Sequence, residues 1–321
     1  MMKKPEAMAW IAVGAAILGY HLVNPLRLEH LLMLSGVGLA MKLARPTREF
    51  VIVFLPLILF AWFYDLLRIF SDRANEIVTI AEIRELELAI FGWLENGERV
   101  GPVEFFLEHH HPLLDLIGAP VYASHVATII FFGVILWWRS RKAESEEDES
   151  RLARFLWGFL FLNLLGFCVQ VLYPVAPPWY VELYGYAMPE NGISGNPAGL
   201  ARVDDLIGID YFQGVYEQAA YVFGALPSLH VAYPVWLALH VRRPLGKALC
   251  AIYALAMAFF AVYFIHHYVV DLVAGAALSI LVYALFARTP LGTMPGRVHR
   301  YFGAHFLDDR KSRYLLETLR R

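Results

Sequence analysis

The sequence predicts an all-α protein, a polytopic bundle of about eight transmembrane helices, from three observations. Of its 321 residues, 59% are hydrophobic and only 17% are charged, a balance that does not suit a soluble domain of this length. Apolar runs long enough to cross about 30 Å of hydrocarbon recur along the chain. Basic residues gather in alternate loops between those runs.

Six runs are long enough for a membrane span: residues 7–23, 50–70, 114–138, 155–173, 248–265 and 268–287. Residues 28–44 and 229–241 are also apolar but shorter, so each is either a short span or a re-entrant helix. Lys3 and Lys4 before the first run also fit a signal peptide, although no small-residue cleavage pattern follows that run.

Basic residues divide the loops into two sets. All but six of the 27 lysines and arginines lie before the first run, after the last one or in every second loop between them. The six exceptions are Arg27, Arg68, Arg73, Arg84, Arg99 and Arg202. Because cytoplasmic loops carry the excess of basic residues, an even number of spans puts both termini in the cytoplasm. The other set of loops then lies on the extracytoplasmic or lumenal face.

This topology predicts three regions. Residues 1–48 form an added amino-terminal pair of spans, residues 49–288 a six-helix catalytic core, and residues 289–321 a basic cytoplasmic tail. The tail suits anionic lipid headgroups, and its charge alone gives no support to a nucleic-acid partner.

Several stretches outside this pattern need their own interpretation. Apolar side chains recur near helical spacing in residues 74–107, which predicts an interfacial amphipathic helix on the outer surface. Residues 139–154 mix both charge signs without periodicity and are interpreted as a solvated loop. The run from His109 to His111 does not favour a metal site, because consecutive side chains point in different directions. Cys168 and Cys250 fall in opposite halves of the bilayer, which argues against a disulfide.

Two short segments bring ionisable residues to the same predicted membrane face. GALPSLH, residues 224–230, opens the sixth span, and HHYVVD, residues 266–271, opens the eighth. His267 and Asp271 are four residues apart and share a helix face, so the carboxylate can orient the imidazole. Such a pair alone is often only a surface contact, but ionisable residues at the edge of a transmembrane bundle favour a functional site.

The segment around His230 predicts a phosphate-binding helix start. Pro227 suits a first helical turn, where the amides of Ser228, Leu229 and His230 lack intrahelical acceptors and can donate to a phosphate. The Ser228 hydroxyl adds a donor. Pro-Ser is also an ordinary helix start, so this interpretation depends on the second segment.

Together the two segments contain the groups that phosphoryl transfer through a covalent intermediate requires. His267, held by Asp271, is the predicted nucleophile. His230 is the predicted acid that protonates the leaving alkoxide and later the base that activates the incoming hydroxyl. No carboxylate cluster of magnesium-site character lies near, so neither a metal nor another cofactor is expected.

Four segments resemble motifs of the type-2 phosphatidic acid phosphatase superfamily, specifically its fungal inositol phosphorylceramide synthase family. They are YPVAPPWY at 173–180, NPAGLARVD at 196–204, GALPSLH at 224–230 and HHYVVDLVAG at 266–275. The resemblance implies transfer of phosphoinositol from phosphatidylinositol to ceramide with release of diacylglycerol. It also implies that His230, His267 and Asp271 are catalytic.

The chain departs from the superfamily's phosphatases at three places. They usually carry glycine where Leu229 stands and a Ser-Arg pair where Ala261 and Val262 stand, so their phosphate-binding arginine is missing here. Their first motif, a lysine followed at a distance by Arg-Pro, is also absent. These departures fit the transferase branch better.

Substrate-binding residues are predicted around this site. Arg202 is the only basic residue between positions 174 and 227 and is the candidate for neutralising the phosphate, with an ordinary surface arginine as the alternative. Asp204 and Asp205 are candidates for binding a polyol headgroup, unless they are merely solvated. His266, beside the nucleophile, is another candidate.

The aromatic stretch at residues 173–186 predicts a rigid cover over the site. Trp179 and Tyr180 would keep water away from the intermediate, although an aromatic belt at headgroup level is the alternative.

Three functional classes remain after these inferences. The first is an enzyme that moves a head group from a membrane phospholipid donor to a lipid-alcohol acceptor. The second is a lipid phosphatase that uses water, and the third is a transporter or receptor without chemistry. The inverted repeats typical of transporters are not seen in the sequence.

Overall fold

The computed structural model describes residues 27–42, 45–143, 146–189, 193–294 and 296–297. The predicted first span, residues 7–23, and most of the predicted tail lie outside the described residues. The helices of the bundle are α1 Leu28–Lys42, α2 Arg45–Leu66, α6 Pro112–Ala123, α7 His125–Ala143, α8 Glu146–Leu172, α12 Leu229–His240, α13 Pro244–Tyr263 and α14 Val269–Arg288. The shorter elements at one end are α3 Ser71–Ile77, α4 Ala81–Phe91, β1 Trp93–Glu95, β2 Glu98–Val100, α5 Pro102–Glu108, α9 Pro178–Tyr184, α10 Ala201–Ile207 and α11 Tyr211–Glu217.

The predicted all-α membrane fold is confirmed. Among the described residues, four helices are long and apolar enough to cross a bilayer, and a fifth span results if α6 and α7 count as one. That pair is bent by 49°, between Ala123 and His125. The bend turns Tyr122 and His125 toward the interior of the bundle, where both line a cavity.

The predicted short run at residues 229–241 forms α12, which has only 12 residues. At 1.5 Å per residue such a helix extends about 18 Å, well short of a full span. It packs against both α13 and α14 at the centre of the bundle. Its start lies very close to α14, because a Cβ added at Gly275 would stand 2.0 Å from the Ser228 carbonyl oxygen.

The prediction of one amphipathic helix over residues 74–107 is wrong in its extent. Only α4 is a helix of more than two turns there, and a hairpin of β1 and β2 follows it. Asn96 and Gly97 make the turn with φ values of 53° and 88°, which an Asn-Gly pair adopts readily. The hairpin signal was present in the sequence and was obscured by the surrounding apolar periodicity.

The prediction of a solvated loop over residues 139–154 is wrong in the extent of the loop, although most charged side chains there are exposed. Helix α7 continues to Ala143 and α8 begins at Glu146. The charges favour helix ends here, because Arg141 and Lys142 lie in the last turn of α7 and four acidic residues lie in the first turn of α8. Cys168 and Cys250 are both free thiols.

Candidate functional site

The two histidine segments meet at the starts of α12 and α14. His230 Nδ1 lies 3.2 Å from His267 Nε2, and His267 Nδ1 lies 3.4 Å from Asp271 Oδ2. His267 and Asp271 are buried. The three side chains therefore form one continuous row from carboxylate to imidazole to imidazole.

The hydrogen-bond partners determine which nitrogens carry protons. A carboxylate only accepts, so His267 donates from Nδ1 and keeps the lone pair on Nε2. His230 then donates its Nδ1 proton toward that lone pair. The arrangement presents a nucleophilic nitrogen and a proton donor side by side, which is what covalent catalysis at phosphorus needs.

Asp271 is held in place by the backbone of its own helix. Its Oδ2 accepts a hydrogen bond from the amide of Tyr268 at 3.0 Å, so it caps the helix that carries it. Glu87 of α4 accepts from the next two amides, Val269 at 3.0 Å and Val270 at 3.1 Å. Burial raises the pKa of the Glu87 carboxyl. No sequence pattern predicts this contact, because 182 residues separate Glu87 from Val269.

Ser228 precedes the first turn of α12. Helix α12 begins at Leu229, so Pro227 lies outside it rather than in its first turn. The Ser228 amide donates to the Asp271 carbonyl at 3.0 Å and is not free for a phosphate, contrary to the prediction. Its hydroxyl is buried and has no hydrogen-bond partner among the described residues. The Leu229 and His230 amides likewise meet no acceptor in the described part of the chain.

A cavity of about 520 Å³ opens beside the histidines. Most of its wall is aromatic and aliphatic, and its polar lining includes His125, His230, His266, His267 and Gln170. Among the described residues that line it there is no lysine or arginine. A space of this size and character suits part of a lipid.

Sequence reasoning missed two aromatic neighbours of His230. The Tyr122 ring stacks on His230 with centroids 4.3 Å apart, and the His125 ring lies at the same distance. Tyr122 also stacks on His266 at 5.3 Å. Both missed residues flank the bend between α6 and α7, and only their position at that bend could have identified them.

His266 lies beside His267 and lines the cavity. Its Nε2 is 3.1 Å from the Pro197 carbonyl, so it donates from that nitrogen. Burial, with a smaller effect from His267, lowers the pKa of His266 to about 3, which makes it a neutral donor at ordinary pH.

Trp179 and Tyr180 lie on α9 and are buried. The Trp179 amide donates to the Ile265 carbonyl at 3.1 Å, which ties α9 to the turn that carries His267, and its side chain lines the cavity. The Tyr180 hydroxyl donates to the Ala187 carbonyl at 2.8 Å. Trp179 is thus at the cavity wall, whereas Tyr180 packs behind it.

None of the three charged candidates lines the cavity, and two of them have hydrogen-bond partners elsewhere. Arg202 donates from Nε and a terminal nitrogen to one oxygen of the buried Asp115, at 3.0 and 2.9 Å. Asp204 accepts from the amides of Phe212 and Gln213 at the start of α11. Asp205 is exposed. Their roles as substrate ligands stay predictions, and the contacts of Arg202 and Asp204 explain them as structural residues.

A family model and a bacterial relative each match a large part of this chain. The family model described as PAP2 superfamily matches residues 101–285. The phosphoinositol dihydroceramide synthase of Bacteroides thetaiotaomicron is 35% identical over 267 residues, which are 81% of this chain and 84% of that protein. The resemblance therefore extends well beyond the hundred residues of the motifs.

Fungal proteins match over a shorter region. The inositol phosphorylceramide synthase of Candida albicans is 37% identical over 139 residues, 41% of this chain and 28% of that protein. The inositol phosphorylceramide synthase catalytic subunit AUR1 of Saccharomyces cerevisiae is 37% identical over 137 residues, 42% of this chain and 33% of that protein. No solved structure matches the chain.

Proposed function

This chain belongs to the PAP2 superfamily and, within it, to the inositol phosphorylceramide synthase family of enzymes, and from that membership we propose a specific reaction. It moves a phosphoinositol head group from a glycerophospholipid to the hydroxyl of a ceramide-type lipid and releases diacylglycerol. The observation that carries this proposal is the row of His230, His267 and Asp271 beside an apolar cavity.

In the first half-reaction, His267 Nε2 attacks phosphorus and the bond between phosphorus and the glycerol oxygen breaks. The departing alkoxide takes a proton from protonated His230, which becomes a neutral imidazole, and diacylglycerol leaves as the neutral alcohol. Asp271 stabilises the charge that develops on His267 through the Nδ1 contact of 3.4 Å. The intermediate is a phosphohistidine that still carries the inositol.

In the second half-reaction, His230 takes the proton from the acceptor's hydroxyl, whose oxygen attacks phosphorus. The phosphorus–nitrogen bond breaks and His267 regains its lone pair. The proton that His230 gives to diacylglycerol in the first half-reaction is therefore replaced by the acceptor's proton in the second, and the whole transfer consumes no proton.

The charge of the cavity favours a phosphodiester over a phosphomonoester. A phosphomonoester carries a charge of about −1.5 to −2 at pH 7, whereas a phosphodiester carries only one negative charge. The described cavity lining holds imidazoles but no lysine or arginine. The first amides of α12 belong to Leu229 and His230, which line the cavity, and such neutral donors suit the smaller charge.

The decisive experiment supplies the purified enzyme with phosphatidylinositol and ceramide. The expected products are phosphoinositol-ceramide and diacylglycerol in near-equal amounts, with little free inositol phosphate. Rapid release of phosphate from phosphatidic acid, without use of ceramide, would instead establish the phosphatase alternative. Chelation by EDTA should leave turnover unchanged, and a loss restored by magnesium would refute the metal-free mechanism.

The site is proposed to face the extracytoplasmic or lumenal side, with both termini in the cytoplasm. A variant without native cysteines tests this with single cysteines at two exposed positions, Glu182 on α9 and Glu146 at the start of α8. A membrane-impermeant thiol reagent should label position 182 in intact cells and position 146 only after permeabilisation. The reverse pattern would overturn the orientation.

A further inference from the structure

Glu87 is a buried carboxylate outside the row of catalytic residues. It lies on α4 with only 1% of its surface exposed. Its two oxygens accept from two consecutive amides of α14, Val269 at 3.0 Å and Val270 at 3.1 Å. Burial of a carboxylate is costly unless its oxygens are satisfied, and these two contacts satisfy them.

We propose that Glu87 is a positioning residue for the transfer reaction, an inference that rests on the proposed function. It holds the first turn of α14, which carries Asp271 and begins two residues after His267. The position of the nucleophile is thereby fixed by a side chain from a helix at the edge of the bundle.

The contacts of Glu87 matter because the amides at the start of α14 attract any anion nearby. Three successive amides need acceptors, and Asp271 satisfies the first, that of Tyr268, with the same oxygen that meets His267. Without Glu87, the amides of Val269 and Val270 would draw the nearest anion, which is Asp271 itself or the substrate phosphate. Either outcome moves the carboxylate or the phosphorus away from His267.

A role in packing alone does not account for the carboxylate. The neighbours Ile83 and Leu88 on the same helix are buried and already provide apolar contact. An apolar side chain at position 87 would avoid the desolvation of a charge. The paired oxygens indicate that the position serves the amides of α14.

The test compares Glu87→Gln with Glu85→Gln, an exposed carboxylate on the same helix. Glu87→Gln should lower kcat about 10- to 100-fold with little change in KM, because a displacement of about 1 Å can reduce a rate about 100-fold. Glu85→Gln should keep the wild-type kcat. Wild-type kcat in folded Glu87→Gln, or a change confined to KM, would overturn the proposal.

A second variant covers the case in which Glu87→Gln does not fold. Glu87→Asp keeps the charge but withdraws the carboxylate by one methylene group, and it should also lower kcat; wild-type kcat would again overturn the proposal. Each variant is assayed for transfer to ceramide and for hydrolysis of phosphatidic acid. If the wild type only hydrolyses, the proposed function fails, whereas the Glu87 proposal is then judged by kcat of hydrolysis.

Discussion

The starts of α12 and α14 lie side by side, yet their hydrogen bonding differs. At α14, Asp271 and Glu87 occupy three successive amides with carboxylate oxygens. At α12, the Ser228 side chain makes no capping hydrogen bond, and the amides of Leu229 and His230 meet no acceptor among the described residues. One helix start is neutralised by protein carboxylates, and the other keeps its donors.

This difference separates two tasks that both need a helix start. A helix start attracts anions, and two uncapped starts would compete for the same phosphate. Carboxylates cap α14, whose first turn carries Asp271 and begins two residues after His267. Under the proposed function, the donors at α12 are available to the phosphoryl group. We infer that phosphate enters from the α12 side, next to the proton of His230.

The largest loss of activity is expected for substitutions at the start of α14, which carboxylates cap. His267→Gln should abolish the phosphohistidine and turnover, because no other nucleophile stands at that position. Asp271→Asn should lower kcat roughly 10²- to 10⁴-fold, since the amide cannot orient and charge-stabilise the imidazole as a carboxylate does. Single-turnover labelling with radioactive phosphatidylinositol measures both effects. A labelled intermediate in His267→Gln would show that another residue is the nucleophile.

A smaller effect is expected at the uncapped start. Ser228→Ala removes a buried hydroxyl that has no partner within the described residues, and kcat should fall about 10²-fold if that hydroxyl donates to the transition state. Ser279→Ala is the matched control, because its buried hydroxyl on α14 already donates to a backbone carbonyl, that of Ala232. Equal losses in both variants would assign Ser228 a purely structural role and weaken the comparison of the two helix starts.

The sequence predicted the parts of this site that depend on local spacing. The four-residue interval of His267 and Asp271 and the position of His230 near a helix start sufficed to identify the three side chains that the structure brings together. Residues that reach the site only through tertiary folding were not predicted. Glu87 arrives from α4 and Tyr122 from a bend between two helices, and neither carries a motif.

The same limit explains the charged candidates and the misassigned segments. Arg202 is a candidate because it is the only lysine or arginine in its stretch, but its partner Asp115 lies 87 residues away and spacing does not predict that contact. The all-α class and most helices followed from composition and run length. The hairpin at Asn96 is obscured because the apolar periodicity extends across a turn signal of only two residues.

The smallest effect is expected for a substitution of Trp179, at the wall of the cavity. Trp179 is tied through its amide to Ile265, two residues before the nucleophile, and its buried ring lines the cavity. A transferase has to keep water, at about 55 M, from the phosphohistidine while an acceptor diffuses in from the membrane.

Trp179→Ala removes ring volume from the wall without touching either helix start, so formation of the intermediate should change little. Water should hydrolyse more of the intermediate, because it gains access to the site. The ratio of free inositol phosphate to phosphoinositol-ceramide should therefore rise. Leu183→Ala, an exposed position on the same helix, should leave that ratio unchanged. Mass spectrometry of both products decides the point. A slower reaction with an unchanged product ratio would mean that the ring only supports α9 and that water is excluded elsewhere.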